Sequence, residues 1–368
     1  MDPQIFLWQK YGGVSQLFVE LLRYAREWND PEITCPLTFT ENIHLIEAGL
    51  APKNVFSGLG RLNFRGTGRV KDFVKSLSIR KTKRLLKDQD FDIFFPSYYD
   101  TYFLDYLSSK PLVIVVHDMI HEIFPEYFLN DKTTVPNKKL LIERATRIIT
   151  NSHCTKNDIL RIYPDISEKK IVPVHHAQSI ENPGMTTNQI DLPEKYILFV
   201  GNRSGYKNFN FMINALTPIF RTKEKLHLVC AGGGSFSAGE KQFISNLGID
   251  KKIIQIDFED KQLPGYYKNA LVFIFPSLYE GFGIPTLEAM KCGCPVILAN
   301  NSCFPEIAGD AAVYFDPYNS ASLVEATTNI LNDENLRNNF IEKGYERVSS
   351  FSWEKTAKGY FKAISEII

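Results

Sequence analysis

The amino-acid sequence predicts an α/β protein made of two doubly wound domains, each with a parallel sheet covered by helices. Three observations support this prediction. Short, wholly apolar runs alternate along the chain with longer amphipathic stretches, which is typical of buried parallel strands joined by helices. The length of 368 residues exceeds the usual size of a single domain. A new strand–loop–helix pattern also begins near residue 196, after a segment (172–194) that contains several prolines.

The apolar runs and the amphipathic stretches give the individual elements. The predicted strands are Ile5–Trp8, Ile93–Pro96, Leu112–Val116, Arg147–Thr150, Ile197–Val200, Leu226–Cys230, Val272–Phe275 and Pro295–Leu298. The predicted helices are Gly13–Trp28, Lys71–Lys87, Cys154–Ile162, Asn210–Thr217, Pro264–Asn269, Thr286–Cys292 and Ser320–Asn332. Because ligands of such sheets bind at the carboxyl ends of strands, the loops that directly follow strands are the informative ones.

Composition limits the classes of partner and the compartment. The 42 basic residues balance the 42 acidic ones, so no overall field attracts nucleic acid, and no nucleic-acid partner is expected. The six cysteines lack the spacing of a metal site, which favours reduced thiols in the cytoplasm. No signal peptide is recognised at the N-terminus, and no apolar run reaches the ~20 residues that a membrane span needs.

The segment Phe275–Glu288 has the strongest functional pattern. A buried strand ends, a glycine-containing loop follows, and a helix begins near Pro285. The first N–H groups of such a helix form an anion site, assisted by the helix dipole. Its predicted members are Gly283, Ile284, Thr286 and Leu287. The carboxylates of Glu280 and Glu288 would repel phosphate, so we expect them to accept hydrogen bonds from sugar or ribose hydroxyls. The alternative is that acidic residues only satisfy the dipole.

A second loop carries the positive charge that a diphosphate requires. Arg203 and Lys207 lie in the glycine-containing loop that follows strand Ile197–Val200. An arginine and a lysine at this position suit a diphosphate, which needs both charge and close backbone approach. The alternative is two solvated surface cations.

These segments resemble a known family. The pattern E-G-F-G-I-P-T-L-E-A-M, followed by G-C-P-V-I and P-E-I-A-G-D-A-A, resembles the signature of retaining glycosyltransferase family 4. The resemblance implies the GT-B fold, in which two Rossmann-like domains face each other across a cleft. It implies that Glu280 contacts donor-sugar hydroxyls, that Glu288 binds the ribose, and that Arg203 and Lys207 are the basic pair. The resemblance implies an acceptor-binding domain of residues 1–178 and a donor-binding domain of residues 179–350. Helix 351–368 is expected to pack back on the acceptor-binding domain.

Weaker matches to the family extend the predicted site. The stretch Ile253–Phe258, followed by Leu263–Ala270, resembles the segment that binds the nucleotide base, although the usual glycine is absent. The turn Gly12-Gly13 resembles the first loop, which adjoins the diphosphate and the acceptor. Asn151 matches a residue of the cleft wall.

The loop that begins at His117 resembles the active-site histidine loop of the family. A histidine at the carboxyl end of a strand lies on the ligand side of the sheet, although a packing or capping role is the alternative. The resemblance implies that His117 contacts the donor sugar, and that His121 and Glu122 approach the acceptor.

The expected activity is transfer of a hexose, with retention, from a nucleotide-diphosphate sugar to a glycan or lipid-linked acceptor in polysaccharide synthesis. GDP-mannose is the favoured donor, and neither a metal nor another cofactor is expected. The predicted catalytic residues are His117, Arg203, Lys207 and Glu280. A non-catalytic carbohydrate- or lipid-binding subunit and a sugar-nucleotide epimerase or phosphorylase on the same fold remain alternatives.

Two charged segments complete the sequence predictions. The stretch Arg69–Lys87 holds eight basic residues, which favours either a solvated helix or peripheral contact with anionic lipid at the cytoplasmic membrane face. The acidic stretch Asp88–Asp92 contains two D-x-D patterns but precedes a strand, so we expect a solvated turn and no metal site.

Overall fold

The computed structural model describes residues 1–54, 56, 67–180 and 192–367. The chain divides into two compact units. Unit 1 contains Met1–His176 together with the segment that begins at Trp353, and unit 2 contains Ala177–Ser352. The named strands of both sheets pair in parallel, so the predicted α/β class is confirmed.

Unit 1 is built around a parallel sheet. Its helices, in chain order, are α1 (Gln4–Trp8), α2 (Gly13–Trp28), α3 (Ile43–Glu47), α4 (Thr67–Asp88), α5 (Ile120–Ile123), α6 (Thr134–Arg144) and α7 (His153–Ile162). Its strands are β1 (Val113–Val116), β2 (Arg147–Thr150) and β3 (Ile171–Pro173), in the order β1-β2-β3. Ile114 and Ile148 are almost wholly buried and pair across the sheet, so the hydrophobic core lies against these strands.

Two predicted strands of unit 1 were wrong. Residues 5–8 lie in helix α1, and Ile93–Pro96 makes only a single bridge, between Phe94 and Leu112. Ile5 and Phe6 are both at most 3% exposed. A short run buried on several sides lacks the periodicity that separates a helix from a strand.

Unit 2 contains the larger sheet. Its helices are α8 (Phe209–Thr222), α9 (Ala238–Asn246), α10 (Leu263–Asn269), α11 (Ile284–Lys291), α12 (Phe304–Ala308), α13 (Ser320–Asn332) and α14 (Glu334–Ser349). Its strands are β4 (Lys195–Val200), β5 (Leu226–Ala231), β6 (Ile253–Ile256), β7 (Val272–Phe275), β8 (Val296–Ala299) and β9 (Val313–Phe315).

The strand order of unit 2 determines where a ligand can bind. The order is β6-β5-β4-β7-β8-β9, so the chain fills one side of β4 first and then the other. The direction in which successive strands are added to the sheet therefore reverses between β4 and β7. Ligands of open α/β sheets bind at the carboxyl ends of the strands beside such a reversal.

The last helix, α15 (Trp353–Ser365), belongs to unit 1. Thr356 donates its hydroxyl to the His175 carbonyl at 2.8 Å, and the Tyr360 hydroxyl lies 3.1 Å from Nε2 of His176. The helix is thus fixed to the segment that follows β3 by two polar contacts as well as by its apolar face.

The basic stretch Arg69–Lys87 lies within α4, and the acidic stretch Asp88–Asp92 begins at the last residue of this helix. This helix ends at Asp88, and Asp90 and Asp92 are exposed in the turn that follows. Across the described ranges, no group of three or more His, Cys, Asp or Glu side chains could hold a metal ion. Among the same residues, no helix is both long enough and apolar enough to cross a lipid bilayer.

The packing of α15 gives a stability prediction. A Cβ atom at Gly359 would lie 2.6 Å from Cγ1 of Val174. Because Val174 is β-branched and buried, it cannot yield easily, and Gly359→Ala should lower the free energy of unfolding by about 1–3 kcal/mol in urea titrations. Gly239→Ala, on α9 with no atom within 4 Å, is the control and should be neutral or stabilising. Unchanged stability of Gly359→Ala would contradict this packing.

Candidate active site

Three loops are tied together at the carboxyl edge of the unit 2 sheet. They follow the neighbouring strands β4, β7 and β8. Leu278, in the loop after β7, donates its main-chain N–H to the Tyr206 carbonyl at 2.8 Å. The Leu278 carbonyl accepts a hydrogen bond from Nδ2 of Asn301, also at 2.8 Å. These two hydrogen bonds therefore lie where the strand order reverses, which is where a ligand is expected to bind.

An ion pair between Lys207 and Glu280 lies in these loops. The Lys207 Nζ atom is 2.6 Å from Glu280 Oε1, and the two side chains are 18% and 14% exposed. Burial disfavours the charged lysine, but the Glu280 carboxylate outweighs this and raises the pKa of Lys207 above its ordinary value. Lys207 therefore stays protonated at neutral pH in a place where water screens its charge weakly.

Arg203 has different surroundings from Lys207. Its Nε donates to Glu240 Oε1 at 2.7 Å, and its guanidinium donates to the carbonyls of Gly232 and Gly234 at 2.8 and 2.7 Å. Its side chain is only 3% exposed. In this structure the guanidinium holds the glycine turn after β5, whereas the sequence predicted that both cations face a diphosphate.

The start of helix α11 has the geometry that the sequence predicted. Gly283 precedes the helix at φ +78°, in the left-handed region that favours glycine. Thr286 donates its N–H to the Gly283 carbonyl at 2.9 Å, and the side chains of Thr286 and Leu287 are wholly buried. Ile284 is half-buried. Because the Thr286 N–H is already bonded, an anion bound here would meet the other main-chain N–H groups of the first turn rather than these side chains.

Glu288, one turn into α11, is held by a buried tyrosine. Tyr267 donates its hydroxyl to Glu288 Oε2 at 3.0 Å. Burial raises the pKa of Glu288 to about 7, although the Tyr267 hydrogen bond opposes this shift. Glu288 is therefore poised between its protonated and ionised forms at neutral pH.

Phe258 lies beside the glycine turn that Arg203 holds. A Cβ atom at Gly232 would come 3.3 Å from the Phe258 ring, and the ring centre of Tyr266 is 5.9 Å from that of Phe258. The loops after β5 and β6 are thus in contact, and an aromatic ring is placed at the same edge of the sheet.

In unit 1, the Gly12-Gly13 turn begins helix α2. Gly12 precedes the helix and Gly13 is its first residue. A Cβ atom at Gly12 would lie 2.7 Å from Nε2 of Gln9, whose Oε1 accepts the Ser15 N–H at 2.9 Å. Glycine at position 12 therefore leaves room for the Gln9 side chain to cap the helix start.

His117 directly follows β1, as predicted, and lies in an aromatic pocket. The residue is 8% exposed, and its ring centre lies 6.4 Å from that of Phe18 and 6.3 Å from that of His176. Asn151 donates its amide to the His117 carbonyl at 2.7 Å. Burial lowers the pKa of His117 to about 4, so the imidazole is neutral at physiological pH.

Two further residues of this loop have structural partners. Glu122 Oε2 lies 2.9 Å from Lys138 Nζ, and these side chains are 4% and 0% exposed. His121 Nε2 lies 3.5 Å from Asp131 Oδ2. The buried pair fixes α5 against α6, so the structure gives Glu122 a role in holding its own helix.

The contacts of three residues at the site were not predicted: those of Tyr267, Asn301 and Ser302. Ser302 Oγ accepts a hydrogen bond from the Glu280 N–H at 3.2 Å. No local pattern distinguishes these residues in the sequence, because their contribution depends on which loop lies beside which. The sheet order alone sets that proximity.

Comparison with known proteins identifies two family models. The model described as "Glycosyl transferases group 1" matches residues 185–347, and "Glycosyltransferase Family 4" matches residues 11–178. Together they account for most of both units, and the family predicted from the sequence is confirmed.

Individual relatives agree. O-antigen chain mannosyltransferase B of Escherichia coli is 25% identical over 357 residues, which cover 93% of this chain and 92% of that protein. The serotype-specific mannosyltransferase WbdA of E. coli is 25% identical over 72% of this chain, but the match spans only 35% of the longer WbdA. The crystal structure of Anabaena HepE in complex with UDP-glucose superposes with a TM-score of 0.71 at 16% identity, covering 97% of this chain and 96% of HepE. The chain therefore belongs to glycosyltransferase family 4 and has the GT-B fold.

Proposed function

We propose that this protein is a retaining glycosyltransferase that transfers a hexose from a nucleotide-diphosphate sugar to a glycan or lipid-linked acceptor. The observation that carries the proposal is the Lys207–Glu280 pair at the reversal of strand order. Glycosyl transfer requires a positive group for the leaving diphosphate and hydrogen-bond acceptors for the sugar hydroxyls. Lys207 supplies the positive group and Glu280 supplies the hydrogen-bond acceptor, and the two are in direct contact.

Charge stabilisation of the leaving group is the main catalytic contribution in this proposal. The protonated Lys207 and the N–H groups at the start of α11 neutralise the diphosphate as its bond to the sugar breaks. This role does not call for a metal. Arg203 contributes indirectly, because it holds the glycine turn after β5.

Retention follows if the acceptor attacks the face that the diphosphate leaves. The bond from the anomeric carbon to the phosphate oxygen breaks, and a bond to the acceptor oxygen forms. The leaving phosphate takes the acceptor proton. Glu280 accepts hydrogen bonds from the hexose hydroxyls. In unit 1, the low pKa of His117 keeps its imidazole neutral, so the ring is able to donate or accept a hydrogen bond.

The nucleotide is bound through its ribose and base. Glu288 accepts hydrogen bonds from the ribose hydroxyls, and Phe258 lies against the base. The names of the two E. coli relatives support mannose as the transferred sugar, and we propose GDP-mannose as the donor. The HepE complex with UDP-glucose makes uridine nucleotides the necessary comparison.

The acceptor side of the proposal includes a lipid surface in the cytoplasm. One face of α4 is formed by exposed residues at helical spacing: Arg69, Phe73, Arg80, Arg84 and Lys87. We call this the basic face. Phe73 is 57% exposed, whereas Val74, on the opposite face, is buried. Cations around an exposed aromatic ring suit anionic headgroups, which attract each Lys or Arg by about 1 kcal/mol.

Loss of the Lys207 charge should abolish most of the activity. Lys207→Ala is expected to lower hexose transfer, or release of nucleotide from GDP-mannose, by about 100-fold or more, because one preorganised charge is removed. Glu280→Gln should have an effect of similar size. EDTA should leave the wild-type rate unchanged.

The matched control for Lys207→Ala is Lys343→Ala, whose partner Asp310 is an exposed residue. It should retain the wild-type rate. Near-normal activity of Lys207→Ala, or a rate that requires added divalent cation, would contradict the proposed mechanism. A panel of GDP-, UDP- and dTDP-sugars identifies the donor through thermal stabilisation.

Donor binding should strengthen as pH rises through about 7. A protonated Glu288 must lose its proton before it can accept two ribose hydrogen bonds, and its pKa is about 7. From pH 6 to pH 8 the affinity for a nucleotide-diphosphate sugar should rise by up to roughly tenfold, as the ionised fraction does. Calorimetry with an intact sugar nucleotide avoids the titration of a terminal phosphate.

Two variants isolate Glu288 in this measurement. Glu288→Gln should bind more weakly and without this pH dependence. Tyr267→Phe removes the hydrogen bond that lowers the pKa of Glu288, so the rise in affinity of this variant should occur at higher pH. An identical pH profile in wild type and Glu288→Gln would exclude this assignment.

Charge reversal on α4 should release the protein from anionic membranes. Four substitutions to Glu on the basic face, at Arg69, Arg80, Arg84 and Lys87, are expected to reduce co-sedimentation with phosphatidylglycerol vesicles by more than about tenfold. The control reverses the same number of exposed lysines in unit 2: Lys195, Lys225, Lys241 and Lys251. Equal losses in both variants would show a net-charge effect and remove the basic face from the proposal.

A further inference from the structure

The loop that follows β8 holds the loop that carries Glu280. Ser302 Oγ accepts the main-chain N–H of Glu280 at 3.2 Å, and Asn301 Nδ2 donates to the Leu278 carbonyl at 2.8 Å. The two contacts grip the main chain on either side of Tyr279. The position of the Glu280 backbone is therefore set by a neighbouring loop as well as by its own.

The orientation of the Asn301 amide follows from chemistry. The Leu278 carbonyl can only accept a hydrogen bond, so the amide nitrogen must face it. The other amide atom, Oδ1, is buried and has no hydrogen-bond partner in the described part of the chain. A buried acceptor without a partner destabilises the fold. The asparagine is thus suited to holding Leu278 rather than to maximal stability.

The backbone of Ser302 shows the same conflict. Its φ is +46°, in the left-handed region that disfavours every residue with a Cβ atom. Glycine would adopt this conformation without strain but would lack the hydroxyl that Glu280 uses. Strained residues of this kind cluster at functional sites. Here the serine provides a hydrogen bond at the expense of backbone strain.

The core anchors this loop. Cys303 and Phe304 follow Ser302 and are wholly buried. The Phe304 ring centre lies 5.1 Å from that of Phe275, the last residue of β7. A loop fixed at this point transmits little motion of its own to Glu280.

We propose that Asn301 and Ser302 are positioning residues, which hold the main chain at Glu280 so that its carboxylate is correctly placed for the hexose of the donor. The inference rests on the proposed function and deepens it, because it states that the rate of sugar transfer depends on the hydroxyl of Ser302. Glu288 and its partner Tyr267 lie outside these two contacts. Nucleotide binding should therefore survive when the contacts are lost, and kcat should fall.

The test separates the hydroxyl of Ser302 from its backbone strain. Ser302→Gly and Ser302→Ala both lack Oγ, but only glycine relieves the strain, so the glycine variant should melt at the higher temperature. Both should show kcat for nucleotide release from GDP-mannose or UDP-glucose lowered by roughly tenfold, the effect of a slightly misplaced group. KM should change by less than about twofold. Ser302→Thr keeps Oγ on a poorly tolerated backbone, so it should restore kcat despite a lower melting temperature.

Ser108 provides the matched control. It is an exposed serine of unit 1 with φ +53°. Ser108→Gly should melt above Ser108→Ala, and both should keep the wild-type kcat. This pair measures the effect of relieving the same strain where no site residue is involved.

The outcomes distinguish the inference from the proposed function. A wild-type kcat in Ser302→Gly, or rates that simply follow melting temperature across the series, would overturn the positioning role alone. A wild-type protein that neither binds nor cleaves any GDP-, UDP- or dTDP-sugar would overturn the proposed function, and the inference with it.

Discussion

The candidate site depends on the main chain of Leu278. Its N–H bonds to the loop after β4 and its carbonyl to the loop after β8, so one peptide segment fixes three loops. This is possible because a parallel sheet brings the carboxyl ends of neighbouring strands to one edge, and the order β4-β7-β8 makes these loops adjacent. Lys207 and Glu280 meet because their backbones are joined in this way. The charge pair is thus a result of topology, secured by backbone groups that must be satisfied in any case.

The fold was predictable where sequence pattern and burial coincide. Helix α2 has the predicted bounds, Gly13–Trp28, because its apolar periodicity begins directly after a glycine turn. Strands β4 and β7 were recognised because both are almost wholly apolar. The strands Ile171–Pro173 and Val313–Phe315 were missed, since three residues carry no periodicity and their state depends on pairing. The error at α1 has the same origin, because burial on several sides hides the period of a helix.

The candidate site was predictable in its charges but not in its supports. Lys207, Glu280 and Glu288 were identified because each belongs to a loop or helix that follows a strand. No sequence pattern separates the role of Lys207 from that of Arg203. Their difference arises from the glycine turn about thirty residues further along the chain, to which Arg203 is bonded. The contacts of Tyr267 and Ser302 were not predicted for the same reason, because each residue bonds to a glutamate about twenty positions away.

The return of α15 to unit 1 has a consequence for biosynthesis. The chain leaves unit 1 at His176 and re-enters it at Trp353, so unit 2 is synthesised in full before unit 1 has its last helix. Until then, the surfaces that receive Trp353 and Tyr360 remain uncovered, and His176 lacks its hydroxyl partner. Unit 1 therefore reaches its native state only after helix α15 has emerged from the ribosome, although most of its sequence comes first. A nascent chain stalled after Ser352 would hold one complete unit and one open one.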